Sequence, residues 1–197
     1  MALLAYAVWP TWERTQVSEL VADMLDACRN YFRAVVARFG REDRTSEADL
    51  DETRRAWRRA RSSAEASIDR ISSEPGVSAD RLDCLASILA SSHALIHAMM
   101  GLEAGVVRAP VRTTPEAFRT FAHDVEFTLY YLAAALRGSA AANQTLPKLR
   151  EDHRRLVEAR GAFSASDEFV LIETDRLTTA LNTLREQVIR CLPKSGS

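Results

Sequence analysis

The sequence predicts an all-α protein, an elongated antiparallel bundle of five to six helices, four of them long. Three observations carry this. From Thr11 onward the apolar residues recur with a period near 3.6, and strict apolar–polar alternation is almost absent. Proline and glycine punctuate those stretches at the places where helices begin or stop. The connections between them are short, which makes successive helices antiparallel neighbours.

Each element follows from its own signals. The first helix is expected over 11–39, with Val17, Leu20, Val21, Met24, Leu25, Cys28, Phe32, Val35, Val36 and Phe39 on one stripe and Gly40 as its stop. The second spans 46–73. Glu47, Asp49, Asp51 and Glu52 crowd its first turns, where the helix dipole favours acid. Its seam is thin, with Leu50, Trp57, Ala60, Ala64, Ser67 and Ile71, and Pro75-Gly76 ends it. A third helix starts at the N-cap Ser78 and runs to about Val107, where Pro110 lies just beyond. Leu82, Leu85, Leu89, Ser92, Ile96 and Met99 alternate at steps of three and four, a seam suited to bundle packing.

The fourth helix has Thr114 as N-cap and Pro115 at its first position, followed by Glu116. Phe118, Phe121, Val125, Leu129, Leu132 and Leu136 line its inner face, and Gly138 closes it. Residues 139–144 are small and polar and read as a loop. A shorter fifth helix is expected over 147–159, ended by Gly161. The sixth starts near Ser166 and turns Phe169, Ile172, Leu177, Leu181, Leu184, Val188 and Cys191 inward. A helix of roughly 28 residues is about 42 Å long, so the domain is expected to be elongated.

A chain of 197 residues supplies one domain, or one domain with an appendage. The 47% hydrophobic content is enough for a core. With 26 Lys+Arg against 27 Asp+Glu the net charge is −1, which lacks the basic surplus of a general nucleic-acid binder. Cys28, Cys84 and Cys191 are odd in number and far apart. That argues against a disulfide scaffold and for a reducing compartment, with all three as inert core residues on or beside apolar stripes. Metal-protease, phosphate-loop, CxxC and nucleophile-elbow motifs are all missing, so the chain is read as no enzyme, with no catalytic residue and no cofactor.

The opening residues read differently. Positions 2–9 are all apolar, and Pro10 is expected to interrupt them. Eight residues are too few to span a bilayer, which needs about 20. No basic residue precedes them and no small-x-small cleavage site follows, so a signal peptide fits poorly. Trp9 and Trp12 flank the proline, and Glu13-Arg14 come next. Apolar residues, then tryptophans at headgroup level, then charge is the order in which a transmembrane helix leaves the bilayer. Residues 1–10 are therefore expected to be the end of a membrane helix and 11–197 a cytosolic bundle. Arg14, Arg29, Arg33 and Arg38 favour the cytoplasmic side.

Four groups of side chains invite chemistry. His93 and His97 share one helix face, as do His123 and Glu126. If the third and fourth helices were neighbours, the four would offer the nitrogen and oxygen ligands that zinc accepts; the ordinary alternative is histidines flanking a seam. Arg54, Arg55, Arg58 and Arg59 suggest an anion or anionic-lipid surface. The plainer reading is a solvated face neutralised by acids four residues away, as Asp51 precedes Arg55. An aromatic carboxylate held by an arginine, with Tyr130, Tyr131, Phe118, Phe121 and Trp57 as stacking surface, would make a small-molecule sensor. Ser92 and His93 do not make a hydrolase pair, because adjacent helical residues point about 100° apart.

Three stretches carry a family resemblance. Leu4-Ala5-Tyr6-Ala7-Val8-Trp9-Pro10-Thr11-Trp12-Glu13 resembles the junction after the last transmembrane helix of FUSC-like proteins, the fusaric acid resistance and aromatic acid exporters of bacterial inner membranes. Arg59-Ala60-Arg61-Ser62-Ser63-Ala64-Glu65-Ala66-Ser67 with Glu74-Pro75 is similar to a stretch of that family's cytosolic C-terminal domain, and so is Ser92-His93-Ala94-Leu95 with Leu102-Glu103-Ala104. The resemblance implies a soluble domain of an exporter acting in assembly, subunit coupling or gating. Its partners would be the transmembrane portion of the same exporter, a second copy, or an anionic lipid surface, with no nucleic acid. It implies no catalytic residue.

Overall fold

Six α-helices account for nearly all of the described chain: α1 (Leu3–Ala37), α2 (Glu47–Ser72), α3 (Ala79–Arg108), α4 (Glu116–Leu136), α5 (Leu149–Glu158) and α6 (Glu168–Cys191). A 3-10 turn, Ala159–Ala162, follows α5. The computed structural model describes residues 3–39, 46–73, 77–108, 114–139, 145–162 and 168–192. No strand occurs among them, and the all-α bundle predicted by the sequence is the fold.

Local chemistry sets most of the boundaries. Ser46 caps α2 in a capping box: its hydroxyl accepts from the Asp49 N–H at 3.1 Å, and the Asp49 carboxylate accepts from the Ser46 N–H at 2.9 Å. Gly138, at φ +72°, takes the left-handed turn after α4 that a side chain would resist. Two boundaries differ from expectation. The break at Pro10 is absent, and α1 runs unbroken through it. Proline's fixed φ is itself helical, so its cost is confined to one lost N–H bond and crowding against the carbonyl four residues back. At α4, Pro115 is the cap residue and the helix begins at Glu116. The Thr114 hydroxyl instead donates to the Phe39 carbonyl at 2.5 Å, tying the start of α4 to the end of α1.

Side-chain contacts fix how the helices run. Glu19, Asp23 and Asp26 on α1 meet Arg137, Arg29 meets Tyr130, Arg33 meets Glu126, and Phe39 stacks on Phe118 at 4.5 Å. Rising numbers on one helix meet falling numbers on the other, so α1 and α4 are antiparallel. By the same reasoning α3 and α6 are antiparallel, from Cys84 beside Cys191 to Gly105 beside Phe169. Arg54 to Glu103 and Arg61 to Ser92 make α2 and α3 antiparallel. Cys28 to Met99 and Tyr31 to Glu103 make α1 and α3 parallel. The principal packing pairs trace a ring: α3 on α6, α6 on α5, α5 on α4, α4 on α1, α1 on α2, and α2 back on α3.

The core inside this ring draws on every helix, from Val17, Met24 and Phe32 of α1 to Leu177 and Leu184 of α6. The seams predicted for α2, α3 and α4 are largely the buried ones. On α6, however, Ile172 is 49% exposed, and Thr174 and Thr178 are buried in its place. Threonine fits there because each hydroxyl donates to a carbonyl one turn back, Val170 at 2.6 Å and Thr174 at 2.7 Å. α3 is buried on more than one face. Its stretch Ala79–Val106 is also the one helix among the described residues long and apolar enough to cross a membrane, at mean hydropathy 1.4, with half of that window buried in the bundle.

Candidate functional site

The outer seam between α1 and α4 gathers several residues singled out from the sequence. Arg29 and Arg33 lie one turn apart on α1; His123, Glu126, Phe127 and Tyr130 face them from α4. Together they line a shallow groove of about 290 Å³. The Arg29 guanidinium sits 5.2 Å from the centre of the Tyr130 ring, within cation–π range. Arg33 pairs with Glu126 at 3.2 Å, and Arg29 with Asp26 at 3.4 Å. Burial raises the Glu126 carboxyl above its usual range, and Arg33, Arg29 and His123 only partly offset that. The groove thus sets two arginines, each already paired with a carboxylate, beside one exposed tyrosine ring.

The four metal candidates do not assemble. His123 and Glu126 belong to this α1–α4 groove, whereas His93 and His97 lie on α3, which packs chiefly on α6. The neighbouring of α3 and α4 on which the zinc reading depended is not among the principal contacts. Among the described residues no three His, Cys, Asp or Glu side chains form a metal-holding group. His93 and His97 do stay together: both are exposed, and their Nε2 atoms are 3.2 Å apart.

The arginine face of α2 is largely paired. Arg54 bonds Asp51 at 2.7 Å and also Glu103; Arg55 lies 3.8 Å from Asp51, and Arg59 bonds Glu52 at 2.9 Å. Arg58 is exposed. Three of the four proposed anion-surface residues therefore already answer local carboxylates. The stacking set is dispersed too: Phe118, Phe121, Tyr131 and Trp57 are buried in the core, and only Tyr130 reaches the surface. Trp9 and Trp12 lie in the α1 backbone, and their side chains are outside the described residues.

Three features escaped the sequence reading. Glu103 is a polar node: it accepts from the Tyr31 hydroxyl and from Arg54, joining α1, α2 and α3. Burial first, and then Glu103, push the Tyr31 phenol above its ordinary range. Arg137, just past α4, donates to Glu19 at 2.7 Å, Asp26 at 2.7 Å and Asp23 at 2.6 Å. That acidic row was visible at steps of four and three on α1, but its partner lay over a hundred residues away. Cys84 and Cys191 form a disulfide, with Cα atoms 5.7 Å apart. This corrects the expectation of inert thiols and weakens the inference of a reducing compartment. Only Cys28 is a free thiol, buried and pushed up to about 12 by that burial. The disulfide borders a groove of about 760 Å³ that Asp80, Arg81, Asp83 and Arg190 also line.

Comparison of the chain with family models, with curated proteins and with solved structures finds no match.

Proposed function

We propose that this chain is the water-facing domain of a membrane exporter of the FUSC-like kind, acting in assembly, subunit coupling or gating and not in catalysis. The observation that carries the proposal is the continuity of α1. One 35-residue helix carries both the apolar segment at its start and, among the described side chains, the core residues Val17, Val21, Met24, Leu25 and Phe32. At 1.5 Å per residue such a helix is about 52 Å long. A continuous helix transmits tilt or rotation where a flexible linker would not. Its core end is gripped on several sides: by Arg137 through Glu19, Asp23 and Asp26, and by Glu103 through Tyr31.

The partner this reading requires is the transmembrane portion of the same exporter. A second copy is the weaker partner. Large exposed apolar residues are few (Met100, Tyr130, Val157, Ile172 and Ile189), and no helix carries more than two of them among the described residues. The basic residues after Trp12 favour the cytoplasmic side, whereas a disulfide favours an oxidising compartment. The bond state of Cys84 and Cys191 in cells discriminates between the two sides.

Bilayer contact at Trp9 and Trp12 tests the proposal. The full chain is mixed with phosphatidylethanolamine–phosphatidylglycerol vesicles carrying brominated acyl chains. Tryptophan fluorescence should be quenched, and the quenching should disappear in W9F/W12F. Emission indifferent to the brominated lipid would overturn the membrane attachment.

A second reading rests on the Arg29–Tyr130 contact: the α1–α4 groove binds a small aromatic carboxylate beside Tyr130, its charge displacing Asp26 and Glu126 from Arg29 and Arg33. A rise in Tm with millimolar hydroxybenzoate, abolished in R33A, is the expected result. A flat Tm across that range removes this reading.

A further inference from the structure

We infer that His93 and His97 form a two-histidine chelating site on the open face of α3 for a borderline divalent cation, copper(II), nickel(II) or zinc. Four residues apart on a helix, two side chains stand one above the other on the same face. Here both rings are exposed and their Nε2 atoms are 3.2 Å apart. The two nitrogens share a hydrogen bond at that distance; two nitrogens bound to one tetrahedral zinc at about 2.05 Å each lie about 3.3 Å from one another, so a cation can replace that bond with little change in their separation. The rings meet edge to face with centroids 4.4 Å apart, so a rotation of the imidazoles is what turns both Nε2 lone pairs toward one ion.

The chemistry of the donor pair sets the ligand class. Neutral imidazole is a borderline donor that suits copper, nickel and zinc, and calcium or magnesium would prefer oxygen ligands. The Irving–Williams order puts copper(II) first. No third His, Cys, Asp or Glu completes the set among the described residues. The ion therefore keeps at least two coordination positions for water or for a donor that a partner brings. His97 also lines a groove between α3 and α6, across which Glu173 and Asp175 already answer Arg176 and Arg150. A cation seated on the histidines would clip one turn of α3 without entering the core. This site does not depend on the exporter reading.

The test is a titration of the full chain with copper(II) sulfate, followed by calorimetry and by the electron paramagnetic resonance of the bound ion. One ion per chain should bind, with nitrogen hyperfine coupling. H93A and H97A should each lower the affinity at least about tenfold, since each removes one arm of the chelate. H123A should bind as the parent does. Both histidines of the pair are exposed on a helix surface, and unchanged far-ultraviolet circular dichroism establishes that the variants fold. Affinity unaltered in both H93A and H97A, or no saturable binding below about millimolar copper, overturns the site. As a second readout, copper(II) should broaden the imidazole proton signals of His93 and His97 before those of His153; the reverse order also overturns it.

Discussion

Reducing the Cys84–Cys191 disulfide should lower stability more than any single surface change. The bond joins the first turns of α3 to the last turn of α6 and closes a loop with a sequence separation of 107 residues. In the chain-entropy model a loop of that size restricts the unfolded ensemble by about 4.8 kcal/mol at 25 °C, and natural disulfides more often yield about 2–4 kcal/mol. Unfolding entropies of about 2.1 cal/mol/K per residue give this chain a slope near 0.4 kcal/mol per degree, so the expected fall in Tm is about 5–12 °C. Thermal melts followed by circular dichroism, with and without a phosphine reductant, measure it directly. The double variant C84S/C191S should melt where the reduced parent melts and should not respond to reductant.

Thiol counting supplies the independent check. Cys28 is fully buried and its thiol is pushed up to about 12, so it stays protonated and inert in the folded chain. Alkylation in denaturant should therefore add one label to the untreated protein and three after reduction, read by mass spectrometry. Three labels on protein purified without reductant, or a Tm indifferent to reductant within about 1 °C, would refute the pairing and restore the inference of a reducing compartment drawn from cysteine number.

Two further outcomes follow from buried groups. Asp152 is 5% exposed, and burial together with the facing Asp124, and to a smaller degree Glu151, raises its carboxyl above the usual range, which Arg155 only partly opposes. A carboxyl raised in the folded state binds its proton more readily there than when unfolded, so its contribution is favourable at low pH and is lost as pH rises through the raised value. D152N should therefore raise Tm at pH 7 relative to the parent and shrink the difference toward pH 4; a variant less stable at pH 7 contradicts this. At Gly105 a β-carbon would stand 2.1 Å from the Phe169 ring, packed between α3 and α6. G105A should cost about 1–3 kcal/mol in denaturant titration, and F169A in the same chain should recover part of it.

The helices were legible in the sequence because their signals are local. The 3.6 period, the Ser46 cap with Asp49 and the Gly138 stop act within a turn or two of the residues they govern. The departures have physical reasons. Thr174 and Thr178 read as polar but are buried, since a helical threonine satisfies its hydroxyl on its own backbone. The expected meeting of His93, His97, His123 and Glu126 assumed that the third and fourth helices are neighbours because they are consecutive. The ring order instead sets α3 on α6 and α4 on α1, a choice made by the complementarity of whole faces. Gly101 and Gly105, for example, leave room on α3 for Glu173 and Phe169 of α6. The disulfide was hidden for the same reason, since a separation of 107 residues says nothing until α3 and α6 are known to be antiparallel.

That ring order also bears on how the domain would respond to a pull on α1. The helix touches α2, α3 and α4, and its polar contacts are arranged by height. The Arg137 clamp holds Glu19, Asp23 and Asp26; the Arg29–Tyr130 and Tyr31–Glu103 contacts follow, and Phe39 on Phe118 closes the far end. A sliding movement of α1 would have to break several of these at once, because each is fixed to a different rung. A tilt would carry α4 with it through the clamp and would load α3 through Glu103. α3 is in turn stapled to α6 by the disulfide. Three of the charged contacts between α1 and the end of α4 converge on Arg137, so R137E should loosen α1 from α4 and lower Tm, and a Tm equal to the parent's would contradict the clamp.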